Sequence, residues 1–188
     1  MSTILGIDPG LTRLGVGVIK KGAGRLVSLI HVDVFRTPAG DPPEARLGAL
    51  SVALEAVFRE FRPDIVALER VFAQHNVRTV MGTAQISGVV LALAYAQGIP
   101  VSMRTPSEVK AAVTGYGRAT KHQVGTMVQK ILGLDSIPQP ADAADALALA
   151  ITEAWRAQAP EVHRTGTTPA QQAWREAEAR AKRPKLTQ

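Results

Sequence analysis

Residues 4–10, Ile-Leu-Gly-Ile-Asp-Pro-Gly, constrain this chain more than any other stretch. Apolar residues and one glycine lead straight into a carboxylate, Asp8, and a Pro-Gly pair then turns the chain. A second apolar stretch, residues 14–19, comes back after the turn. The pattern reads as a buried strand, a tight turn and a returning strand. A buried strand offers an ionised Asp nothing to bind. Burying an unpaired charge costs several kcal/mol or more, so Asp8 is expected to be paired, metal-bound or protonated.

Length and charge narrow the setting. A chain of 188 residues fits one domain, read as residues 1–157, followed by a basic tail over 158–188 that is expected to be disordered. At 46% apolar residues the folded part can bury a real core. With no Cys, disulfides and thiolate metal sites are excluded, which fits a cytoplasmic protein. Asp8 interrupts the first apolar run, against a signal peptide. No apolar run reaches the about 18 residues of a membrane span, so no membrane partner is expected. A net charge of +6 favours a polyanionic partner, of which nucleic acid is the commonest. Arg104, Lys110, Arg118, Lys121 and Lys130 face only Glu108 in sequence, a local basic region within the folded part.

The spacing of apolar residues predicts strands over 4–8, 14–20, 25–35, 64–69 and 100–103. It predicts a helix from Asp41 as N-cap to about 61, and a second from Asn76 to about 97. The second helix is apolar almost all round in its later half, as expected of a helix packed on the sheet and also on another subunit. Thr105-Pro106-Ser107-Glu108 and Thr120-Lys121-His122-Gln123 read as capping boxes of two short helices around a Gly-rich turn. A last helix is expected from near Asp142 to about 158. Three antiparallel-type strands followed by alternating helix and strand give an α/β mixed sheet with helices on its faces.

Asp142 and Asp145 are three apart on that last helix, so their Cβ atoms lie roughly 5–6 Å apart and their charges repel. As first-turn acids they would merely favour the helix dipole. As metal ligands they would lose the repulsion to a cation. Asp8 and Glu69, each ending a short apolar strand, favour the second reading, because ligand sites sit at such strand ends. Four carboxylates without His or Cys suit Mg²⁺ or Mn²⁺ rather than zinc. Two such ions about 3.5–4 Å apart can clamp a displacement at phosphorus. An acidic centre in a basic surround reads as a metal-dependent nuclease.

Four blocks in register carry a resemblance. Gly6-Ile7-Asp8-Pro9-Gly10-Leu11-Thr12, Ala67-Leu68-Glu69-Arg70-Val71-Phe72, Pro106-Ser107-Glu108-Val109-Lys110 and Asp142-Ala143-Ala144-Asp145-Ala146-Leu147 resemble the RuvC family of Holliday junction resolvases. The resemblance implies a ribonuclease H-like fold with a mixed five-stranded sheet and helices on both faces. It implies a homodimer that makes paired symmetric nicks in four-way DNA junctions, with two Mg²⁺ (or Mn²⁺) ions per active site. The products would be 5′-phosphate and 3′-hydroxyl ends. It carries catalysis and metal binding onto Asp8, Glu69, Asp142 and Asp145, with Asp8 bridging both ions. A branch-migration motor is the implied partner in recombination and repair.

The resemblance also raises several DNA contacts above their blander readings. Lys110 and Lys121, by composition solvated helix lysines, match basic residues that hold DNA. Arg104 and Arg118 lie in the same basic region. Phe72, which a loop would often tuck into the core, matches an aromatic that stacks on an opened base, a contact worth roughly 1–3 kcal/mol. Gln74, Asn76 and Arg78 are candidate contacts on the same loop. Glu108 is read as a capping residue only. A competing reading as a sugar-kinase or actin-like ATPase shares the Gly-Ile-Asp start but needs a second half and more chain.

Overall fold

The computed structural model describes residues 1–70 and 77–156, with the backbone alone for 77–79. Three strands open the chain: β1 (Thr3–Asp8), β2 (Arg13–Lys21) and β3 (Val27–Arg36). Then follow α1 (Pro43–Phe61), β4 (Ile65–Glu69), α2 (Val77–Ala96) and β5 (Val101–Arg104). Three helices complete the described residues: α3 (Pro106–Thr114), α4 (Lys121–Leu132) and α5 (Ala141–Arg156). The sheet order is β3-β2-β1-β4-β5. β1–β2 and β2–β3 are antiparallel, while β1–β4 and β4–β5 are parallel.

Alternation along the strands splits the core between two faces. Ile4, Ile19 and Ala67 point to one face, under Val109 and Val113 of α3, Val124 and Val128 of α4, and Leu147 and Ile151 of α5. Leu5, Ile7, Val16, Val18, Val66 and Leu68 point to the other, under Leu50, Leu54 and Phe58 of α1 and Ile86 and Val90 of α2. Helices thus cover both faces, as the apolar run of β4 requires.

α5 sits unusually close to β1 and β2 because the strands offer it glycines. A Cβ at Gly6 would collide with the Ala146 carbonyl, and one at Gly15 with the Asp142 carbonyl. Small residues on both partners therefore fix the height of the helix that carries Asp142 and Asp145 above the strand that ends in Asp8.

Most expected elements form within a residue or two of their expected ends. Both capping boxes are present, Thr105 with Glu108 and Thr120 with Gln123. The cap of α1 differs: Pro42 is the N-cap, without a side-chain bond, and Asp41 lies one residue too early. The residue before a proline is held extended, so Pro43 excludes Pro42 from the helix and sets the start there. The tail 158–188 and the expected cap Asn76 lie outside the described residues.

α2 shows the two-sided character expected of it. Ile86, Val90 and Ala94 are buried, while Met81, Leu91 and Tyr95 are exposed, Tyr95 at 88%. No described helix is long and apolar enough to cross a membrane.

Candidate active site

Parallel pairing puts the ends of β1 and β4 side by side, with Ile7 opposite Leu68. Asp8 and Glu69, the next residues, therefore emerge together at one edge of the sheet. α5 crosses this edge and brings Asp145 to them. The three carboxylates line one cavity of about 260 Å³, whose wall also includes Lys110 and Lys121. Pro106, Val109 and Val124 supply its apolar side.

The electrostatics of this cavity answer the question raised by Asp8. Burial, then the charges of Glu69 and Asp145, push the Asp8 carboxyl up to about 8. Burial also raises Glu69, partly offset by its hydrogen bond with Asp8. Without a cation, the pair is thus inclined to keep a proton. Lys121 Nζ donates to Asp145 Oδ2 at 2.6 Å. Burial draws the Lys121 ammonium down, but Asp145, Asp8 and Asp142 together hold it above its ordinary value.

Asp142 stands apart. Its Oδ2 pairs with Arg13 Nε at 3.1 Å, and it lines a neighbouring cleft of about 700 Å³ with Gly10, Thr12 and Arg46. Among the described residues no three acidic or His side chains converge on one point as they stand. Asp145 is turned to Lys121 and Asp142 to Arg13.

The donor set still fits a hard divalent cation. It consists of carboxylate oxygens, with more negative charge at Asp8 and Glu69 than the fold neutralises. Asp8, Glu69 and Asp145 surround a common space, and Asp142 is one helical turn from Asp145.

The expected nucleic-acid contacts divide. Lys110 and Lys121 line the cavity. Arg118 is exposed on the turn before α4, beside exposed Tyr116. Arg104 is a correction: it is 6% exposed, and its guanidinium donates to Glu153 through Nε at 3.1 Å and through its terminal nitrogen. The last position of β5 turns inward to α5, so Arg104 is an internal brace rather than a DNA contact. Its backbone oxygen accepts from Arg70 N at 2.7 Å, next to Glu69. Phe72, Gln74 and Asn76 lie outside the described residues, as does the side chain of Arg78.

Three participants escaped the sequence reading. Arg13 and Arg46 carry no motif. Glu153 did carry a signal: it is an acid inside the apolar run 146–155, where a buried charge needs a partner.

Known proteins similar to this chain share one description. A family profile described as crossover junction endodeoxyribonuclease RuvC matches residues 4–153. A protein of that description from Saccharopolyspora erythraea is 58% identical over 154 residues, covering 82% of this chain and 77% of its own. One from Leifsonia xyli subsp. xyli is 52% identical over 189 residues, covering 93% and 91%. Among solved structures, Thermus thermophilus RuvC in complex with a Holliday junction substrate superposes with a TM-score of 0.78 at 39% identity, covering 84% of this chain and 95% of that one. The α/β sheet is accordingly of the ribonuclease H-like kind.

Proposed function

The chain belongs to the RuvC family of crossover junction endodeoxyribonucleases, and from this we propose that it resolves four-way DNA junctions by paired symmetric nicks. The observation that carries the reading is the one cavity lined by Asp8, Glu69 and Asp145 together with Lys110 and Lys121. Acid at the centre and base at the rim suit a phosphodiester held for hydrolysis.

On this reading Asp8, Glu69, Asp142 and Asp145 hold two Mg²⁺ or Mn²⁺ ions. Such ions, when bound, activate a water and offset charge on the phosphate and the leaving 3′ oxygen. Asp8, at the meeting of the two strand ends, would be the ligand nearest the others' common space. Lys121 and Arg13 neutralise Asp145 and Asp142 until those oxygens are needed, and are then released toward phosphate oxygens. Lys110 holds the strand at the rim. Arg118, Phe72, Gln74, Asn76 and Arg78 are the further DNA contacts of the proposal.

A homodimer follows from the same reading. Two symmetric cuts need two sites related by a two-fold axis. The exposed apolar side of α2, with Met81, Leu91 and Tyr95, supports that face as the interface.

The test is incubation of the protein with a synthetic four-way junction and Mg²⁺ or Mn²⁺, with linear duplex as control. Paired nicks in the junction alone, with ends that a ligase seals, are expected. Equal cutting of both substrates would sink junction selectivity.

A further inference from the structure

The cleft that holds Asp142 has a chemistry of its own. It opens beside the catalytic cavity, since Pro9 and Gly10 of its wall follow Asp8 directly and Asp142 lies one turn before Asp145. At about 700 Å³ it is the larger of the two spaces. Two arginines line it, and a cation cannot take either as a ligand.

Arg46 reaches in from α1. Its Nε donates to Thr37 Oγ1 at 2.9 Å and its terminal nitrogen to Thr12 Oγ1 at 2.7 Å. Thr37 Oγ1 in turn donates to the Leu11 carbonyl at 2.5 Å. Every partner in this set is neutral. Among the described residues no carboxylate pairs with Arg46. A guanidinium carries five N–H donors, so two anchoring bonds fix its fork and leave donors over. Arg13 stands across the cleft, its side chain 58% exposed and bound to Asp142 through Nε. The net result, among the described residues, is an anchored cation without a counter-ion in the same cleft as a second cation that shares only one carboxylate oxygen.

We propose that this cleft is a phosphate site, in which Arg13 and Arg46 hold a DNA backbone phosphate neighbouring the one that is cut. The inference rests on the junction-nuclease reading. Paired guanidinium forks match phosphate oxygens in both geometry and charge. Lys110 and Lys121 line the catalytic cavity and neither lines this cleft, so the strand would be held by cations in both spaces beside the carboxylates. The alternative is that Arg46 only pins the turn between β1 and β2.

Salt dependence separates the two. Removing one cation that neutralises a phosphate reduces the slope of log affinity against log salt by roughly 0.9 on duplex DNA. The full chain is titrated onto a fluorescent four-way junction over a NaCl series without divalent cation, with linear duplex in parallel. Arg46→Gln keeps a donor for the threonines and drops the charge; Arg13→Gln drops the charge at a side chain that is 58% exposed. The double variant should lower the slope by roughly 0.9, the share of one phosphate, and each single variant by part of that. An unchanged slope in the double variant, with wild-type junction binding intact, overturns the phosphate site and leaves the nuclease reading standing, even if Arg46→Gln lowers the melting temperature. A wild-type protein that does not prefer the junction to the duplex overturns both.

Discussion

Asp8→Asn tests the buried charge and the chemistry together. The Asp8 carboxyl rises from 3.8 to about 8 in the fold. At 1.36 kcal/mol per unit, that is about 5–6 kcal/mol against the ionised form when no cation is bound. The sign follows from the direction. The folded protein keeps the proton between about pH 4 and 8, where the unfolded chain gives it up, so stability falls as pH rises through that window and levels off above it. Asn is neutral at every pH and escapes the loss. Glu69 shares the proton, so we expect about half the penalty to be recovered, or about 2–3 kcal/mol. For a domain of this size that is roughly 5–10 °C in Tm. Thermal unfolding in a chelator should show little difference at pH 4.5 and a more stable Asp8→Asn protein at pH 8.5. The same variant should bind junctions and fail to nick them in Mg²⁺. A melting temperature below wild type at pH 8.5, or nicking at the wild-type rate, refutes the reasoning.

Lys121→Met strips Asp145 of its cation, and single-turnover nicking should fall on the order of 10²-fold; an unchanged rate removes Lys121 from the site. Arg104→Met strands Glu153 and should cost about 3–5 kcal/mol in urea unfolding, whereas Arg104→Met with Glu153→Leu should recover most of it. Junction affinity of that double variant should match wild type, since Arg104 is internal. Gly15→Ala drives a Cβ against the Asp142 carbonyl. It should lift the start of α5, lose about 1–3 kcal/mol and lose nicking with it. Gly48→Ala, on an open face of α1, is the control and should gain roughly 0.5–1 kcal/mol.

Much of this was legible in the residues. The end of β1 at Asp8 and the end of β4 at Glu69 are readable because a carboxylate closing a buried apolar run has few physical uses. The capping boxes of α3 and α4 are local chemistry, and local chemistry reads well. What did not read were partners brought together by folding. Arg104 counts as a positive charge in a basic region, yet β5 turns it toward Glu153, nearly fifty positions away. Composition is blind to the direction of a side chain. The separation of Asp142 from the other three carboxylates is equally hidden, because it depends on Arg13 at the start of β2. The height of α5 over the sheet depends on Gly6 and Gly15 meeting carbonyls that spacing alone does not reveal.

Central to the proposed chemistry is that the carboxylates act as one centre for two cations, with Lys121 and Arg13 giving way to them. Anomalous scattering from crystals soaked in Mn²⁺ measures this directly. Two peaks about 3.5–4 Å apart, both touching Asp8, with Asp145 turned from Lys121 and Asp142 from Arg13, are the expected result. No peak at Asp8, or an ion bound with both ion pairs intact, contradicts it.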